Sequence, residues 1–151
     1  MKQLKMKQLI LILTGVLLFL TPDITAQTSK SMGSLTFKIS GFAEDEGQVL
    51  VQLFRKEDKV PANPFRLVIA KITNREAIVV VDSLLYGEYG AIVVHDKNGN
   101  GHIDHRWGIP AEPLGYTNNW KLSYFSGMPT FNKLKFTFNE STSQYSIKMK
   151  E

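Results

Sequence analysis

Asp96, Asn98, Asn100 and Asp104 put oxygen-bearing side chains at positions 1, 3, 5 and 9 of the segment Asp-Lys-Asn-Gly-Asn-Gly-His-Ile-Asp, with Gly101 at position 6 and Ile103 at position 8. This is the leading part of an EF-hand-type calcium loop, in which a chain wraps its own oxygens around a hard cation and the glycine supplies the sharp turn. Side chains of Asp96, Asn98 and Asn100, the backbone carbonyl of His102, and Asp104 directly or through water make five groups, where calcium takes six to eight. The bidentate Glu of position 12 is replaced by Trp107, and Glu112 is the nearby carboxylate that could complete the shell. With two carboxylates the expected Ca²⁺ site is weak, in the range of about 10⁻⁴–10⁻³ M at which extracellular modules work. A metal-free alternative uses the same nine residues. Asn-Gly pairs tolerate positive φ, and Asn and Asp side chains bond back to their own backbone, which would give a self-capped double turn.

Other chemistry has less to stand on. His95, His102 and His105 cluster in sequence, but zinc wants three or four ligands converging tetrahedrally and no second motif organises them. Asp104, Glu112 and His95 could serve acid–base hydrolysis, yet their spacing sets no two carboxylates across a substrate. The chain has no Gly-x-Ser-x-Gly and no phosphate-cradling Gly-rich loop. Trp107, Tyr116, Trp120 and Tyr124 follow the loop. Exposed, such rings stack on pyranose faces; buried, they build a small core of their own.

Strands must position this segment. Leu35, Phe37 and Ile39, then Val49, Val51 and Leu53, then Leu134, Phe136 and Phe138, then Tyr145, Ile147 and Met149 alternate with neighbours that suit the other face, the period of a half-buried strand. Leu67–Ile72, Ala77–Val81 and Tyr89–Val94 are runs rich in β-branched residues that predict strands covered on both faces. About seven short strands and no long helical period predict an all-β fold, an antiparallel β-sandwich of immunoglobulin-like or transthyretin-like type, with a small barrel as the alternative. Gly87 two residues before Tyr89 matches a tyrosine corner, in which the phenol ties the strand to a neighbouring turn. Residues 56–65 form a connection with room for one helical turn. Residues 96–130 break the strand pattern and are rich in Gly, Pro, Asn and aromatics. A long loop carrying Trp107, Tyr116, Trp120, Tyr124 and Phe125 is expected to be an ordered lobe on one end of the sandwich, since disordered segments lack aromatics.

The N-terminus has the three-part layout of a secretory signal peptide: Lys2, Lys5 and Lys7, an apolar run from Leu9 to Leu20, and Ala26 before a cut at Gln27. That run is shorter than the roughly 20 residues a membrane span needs, so no transmembrane anchor is expected after cleavage. The expected organisation is a leader over 1–26, a linker over 27–33 and one domain over 34–150. The chain has no cysteine, which excludes disulfides and a lipid-modified Cys. Removing the leader takes away three Lys and one Asp, leaving 15 basic and 13 acidic side chains, a net charge of +2. No basic block remains, so nucleic acid is not an expected partner. About 125 residues bury enough surface for a core without metal, so calcium would order the loop rather than fold the domain.

Taken together, His95 to Asp104, then Gly108-Ile109-Pro110-Ala111-Glu112, then Gly115-Tyr116-Thr117-Asn118-Asn119 resemble the bacterial exported family catalogued as "domain of unknown function 2141". Its pattern is a strand ending in His-Asp, an Asn-Gly-Asn-Gly turn, Gly-Ile-Pro-x-Glu, then Gly-Phe-Ser-Asn. The resemblance spans roughly residues 34–150 and includes Gly87-x-Tyr89. This chain departs from it at Pro113, where Gly is usual, at Tyr116 and Thr117 in place of Phe and Ser, and at Trp107, where a smaller apolar residue is typical. The resemblance implies an exported single-domain β-sandwich, no activity, and residues 95–119 acting as one unit in which Glu112 and Asn118–Asn119 turn back towards the loop. The expected protein is an exported bacterial module, periplasmic or extracellular, with a binding or structural role and a protein or glycan ligand at the cell envelope. The alternative is an envelope hydrolase or carbohydrate-binding protein using the lobe.

Overall fold

The structure, a computed structural model, describes residues 31–123 and 125–150. The expected leader over 1–26, the linker residues 27–30 and Tyr124 lie outside the described residues. Strand β1 (Met32–Ser40) begins two residues before the expected domain start at 34. β2 (Gln48–Phe54), β3 (Arg66–Lys71), β4 (Glu76–Leu85) and β5 (Gly87–Asp96) follow. Three short strands, β6 (His105–Arg106), β7 (Ile109–Pro110) and β8 (Leu114–Tyr116), lie within the long connection after β5. One helical turn, α1 (Phe131–Leu134), then precedes β9 (Phe136–Phe138) and β10 (Gln144–Lys148).

The fold is all-β. One sheet has the order β10-β1-β4; the other runs β3-β2-β5-β8, with β9 also paired to β5. Neither closes into a barrel. Most pairs are antiparallel, but β10 runs parallel to β1, with Phe37 opposite Tyr145 and Ile39 opposite Ile147. In β1 the alternation has its expected result: Leu35, Phe37 and Ile39 are fully buried, opposite Val81, Val79 and Ala77 of β4. From the second sheet Val49, Val51, Leu53, Ala91 and Val93 join these residues in one buried cluster, with Phe136, Phe138, Ile147 and Met149. A one-residue slip in either sheet would turn its whole apolar set to water, so this core fixes the register.

A second cluster lies on the outer face of the β2–β5 sheet. Leu50, Phe54, Ile92 and Val94 are covered there by Tyr116 and Leu134, with Val60, Ile103, Leu114 and Trp120 packed against them. The lobe is therefore a lid over the sheet, as well as the extension of one end of the molecule. It explains why β5 is buried at every position from Tyr89 to Asp96.

Two expectations need correction. The runs at 67–72 and 77–81 are covered on one face only: Leu67, Ile69, Ile78 and Val80 are exposed, because among the described residues nothing packs over the outer faces of β3 and β4. The expected strand at 133–138 starts late. Leu134 closes α1, and its side chain joins the second cluster instead of the strand face. The described residues of 96–130 include a hairpin, a strand and a 3₁₀ turn at Thr117–Asn119. In the 56–65 connection, the Asn63 N–H donates to the Lys59 carbonyl at 2.8 Å, a single helical-type turn. The Tyr89 hydroxyl donates to the Leu85 carbonyl at 2.8 Å across the β4–β5 turn, the bond a tyrosine corner makes.

Candidate metal loop and adjoining cleft

The loop is built outward from Asp96, the last residue of β5. Its side chain is fully buried and accepts three hydrogen bonds: Gln48 Nε2 at 2.8 Å, the Gly101 N–H at 2.7 Å and the Asn100 N–H at 3.2 Å. Burial pushes the Asp96 carboxyl up, but the Gln48 amide and the Gly101, Asn100 and Gly99 N–H groups together outweigh it and hold the group below its ordinary range. Hydrogen bonds to the charged form favour that form, so Asp96 stays ionised. Gly47 allows the close fit behind it. Its φ is +76, and a Cβ there would collide with the Asp96 carbonyl oxygen.

Next along the loop, each Asn caps the turn that follows it. Asn98 Oδ1 accepts the Asn100 N–H at 3.1 Å, and Asn100 Oδ1 accepts the His102 N–H at 2.8 Å. Both amide nitrogens then meet one carboxylate: Asn98 Nδ2 lies 2.7 Å from Asp104 Oδ2, and Asn100 Nδ2 lies 3.1 and 3.2 Å from its two oxygens. Glu112 reaches back across the loop, accepting the Lys97 N–H through Oε1 and the Asp104 N–H through Oε2, each at 3.2 Å. Burial first, and then the charges of Asp96 and Asp104, lift the Glu112 carboxyl above its ordinary value, against the pull of the Asp104 and Lys97 amides.

Among the described residues no group of three or more His, Cys, Asp or Glu side chains is placed to hold a metal. Any ion in this loop must therefore draw on the Asn amides. Their positions fit that role. Metal–oxygen bonds of about 2.3–2.6 Å at near-right angles set neighbouring ligand oxygens roughly 3 Å apart, close to the Asn98–Asp104 and Asn100–Asp104 separations. Turning each amide over would exchange its nitrogen for an oxygen at nearly the same place, at the expense of the caps on the Asn100 and His102 N–H groups. The donor set is then all oxygen, which suits a hard cation.

The histidines and the proposed acid–base trio separate. His95 is fully buried, edge-on to Phe42 at 5.2 Å, with Nε2 2.8 Å from the Glu46 carbonyl oxygen. His102 and His105 are exposed. Both Glu112 oxygens are occupied by backbone N–H groups, and Asp104 is tied to the two Asn amides.

The aromatics split in the same way. Tyr116 and Trp120 meet in a T-shaped pair at 4.7 Å over the second cluster, and burial pushes the Tyr116 phenol up to about 12. Trp107 is 94% exposed. It sits with Gly108 at the tip of the β6–β7 hairpin, both at positive φ, the backbone of a tight two-residue hairpin turn. A cleft of about 560 Å³ opens where β8 and β10, the last strands of the two sheets, come together. Its floor includes Gly115 and Ile147, and its rim includes Glu112, Trp120, Lys121 and Lys148.

Sequence reasoning missed two supports. Gln48 lies 48 positions from Asp96 and forms no motif with it; only the pairing of β2 with β5, which sets Gln48 opposite Asp96, brings them together. Thr117 is fully buried. Its hydroxyl accepts the Ala91 N–H at 2.9 Å and donates to the Leu134 carbonyl at 2.6 Å, joining β5, the lobe and α1. Its place in the Gly-Tyr-Thr-Asn motif was the available signal.

A family model described as "Uncharacterized protein conserved in bacteria (DUF2141)" matches residues 37–146. That stretch covers the loop and most of both sheets and ends before Ile147, Lys148 and Lys150 of the cleft; the chain belongs to this family. No curated protein and no solved structure matches it.

Proposed function

We propose that this member of the bacterial family is an exported, non-enzymatic β-sandwich module whose loop from Asp96 to Glu112 takes up calcium, and whose role at the cell envelope is binding or structural. The observation that carries the calcium reading is the meeting of the Asn98 and Asn100 side-chain ends at Asp104, within 2.7–3.2 Å, beside an ionised Asp96. Asp96, Asn98, Asn100 and Asp104 would hold the ion, with the His102 carbonyl and Glu112 as further oxygens. Bound calcium would offset the Asp96 and Asp104 charges that help lift the Glu112 carboxyl.

The shared buried cluster between the two sheets supports a sandwich of immunoglobulin-like or transthyretin-like type. The leader-like N-terminus and the absence of cysteine support export, to the periplasm or beyond. Burial of His95 argues against hydrolysis, since a general base must come within hydrogen-bond reach of a substrate proton. A carbohydrate-binding role remains as the second reading, favoured by the partly exposed Trp120 at the cleft.

Isothermal titration tests the calcium reading. Saturable binding with a midpoint of about 10⁻⁴–10⁻³ M, lost in Asp104→Ala, is expected. No heat and no thermal stabilisation at millimolar calcium would overturn it.

A further inference from the structure

We propose that the cleft between β8 and β10 binds an acidic glycan, with a sugar ring against Trp120 and carboxylates at Lys121, Lys148 and Lys150. The proposal rests on the binding-module reading and is independent of calcium. The cleft has the size of a ligand site, about 560 Å³ in a usual range of about 300–1,000 Å³.

Its charge is one-sided. Lys121, Lys148 and Lys150 all line it, and among the described residues none of them has a carboxylate partner, whereas Lys97 is paired with Glu44 and Lys135 with Glu88. The lining's one acid, Glu112, has both oxygens turned to the backbone amides of the loop. Three unpaired ammonium groups around one cleft favour an anion carrying several charges, because each exposed pair alone contributes little.

A Cβ on Gly115 would lie 2.7 Å from the Met149 sulfur and 2.9 Å from Ile147 Cγ2, so the face of β8 packs directly on the end of β10 beneath the cleft. Trp120, held edge-on by Tyr116 with the Lys133 ammonium 5.5 Å from its ring, offers a fixed and partly exposed aromatic surface there.

The test is tryptophan fluorescence and calorimetric titration of the full chain in calcium-free buffer with EDTA. The probes are oligogalacturonate, a neutral cello-oligosaccharide and polyglutamate. Oligogalacturonate should bind saturably and weaken as salt rises. Lys148→Glu with Lys150→Glu should reduce its affinity at least tenfold without shifting the melting temperature, and Trp120→Phe should also weaken it. Equal binding of the neutral sugar, tighter binding of polyglutamate, or no saturable binding would overturn the proposal. If oligogalacturonate fails while calcium still binds the loop, the glycan assignment falls and the module reading stands.

Discussion

Asp96 and Gly101 are joined across the turn of the loop, the Asp96 Oδ2 atom accepting the Gly101 N–H at 2.7 Å. The same oxygen also accepts Gln48 Nε2 from β2. One buried carboxylate thus fixes the loop's shape and anchors it to the sheet. A loop held in this way is organised before any ion arrives, which lowers the ordering cost of binding.

Replacing Asp96 should therefore be expensive. Asp96→Ala leaves Gln48 and two backbone N–H groups without their acceptor, at a cost of roughly 2–4 kcal/mol. Urea unfolding should report this loss with the sandwich still melting cooperatively. A change below about 0.5 kcal/mol, the level of ordinary surface substitutions, would mean that the carboxylate does not anchor the loop.

Acid should act through the same group. Because Asp96 titrates below its ordinary value near 3.8, the stability it contributes is complete above that value and is lost as pH falls through the folded pKa. Asp96→Asn should accordingly flatten the acid limb of a stability–pH curve. Glu112 has the opposite sign: lifted above its ordinary 4.5, it costs stability as pH rises through the window above 4.5. Glu112→Gln should therefore compare more favourably with the natural protein at pH 7 than at pH 4, by chemical denaturation at both pH values. The reverse trend would refute the burial of Glu112 beside Asp96 and Asp104 as the cause of its raised pKa.

Thr117 gives a cleaner test of the lobe's attachment. Thr117→Val keeps the volume but leaves the Ala91 N–H and the Leu134 carbonyl without the hydroxyl, which should cost about 2–3 kcal/mol. Thr117→Ser should retain most of the stability. Equal unfolding midpoints for the Val and Ser variants would show that the hydroxyl carries no weight.

The seam beneath the cleft is similarly exposed to test. Gly115→Ala forces a methyl against Met149 and Ile147, an overpacking penalty of about 1–3 kcal/mol. Thermal melting should register it. An unchanged melting temperature would imply that β8 and β10 separate more easily than their packing indicates.

Much of the frame was legible because period-two alternation reports burial directly where one face is wet, as in Leu35-Thr36-Phe37-Lys38-Ile39. It failed at Ile78 and Val80. An apolar run looks the same whether its second face is covered or bare, and only the packing of the two sheets decides that the outer face of β4 is open. At the site, Asp96, Asn98, Asn100 and Asp104 were readable from spacing because they act within one turn. Gln48, Gly47 and the cleft lysines were not, because strand pairing and the meeting of two sheet edges place them. Trp107 was expected either to join a small aromatic core or, exposed, to stack on a sugar; a hairpin turn carries it out of the core into solvent.

A crystal structure of the protein soaked in millimolar calcium tests the central claim most directly. The predicted result is an ion within about 2.3–2.6 Å of oxygens from Asp96, Asn98, Asn100 and Asp104, with both Asn amides turned so that oxygen, not nitrogen, faces the centre. The contradicting result is an ion-free loop in which Asn98 and Asn100 still donate their N–H groups to Asp104.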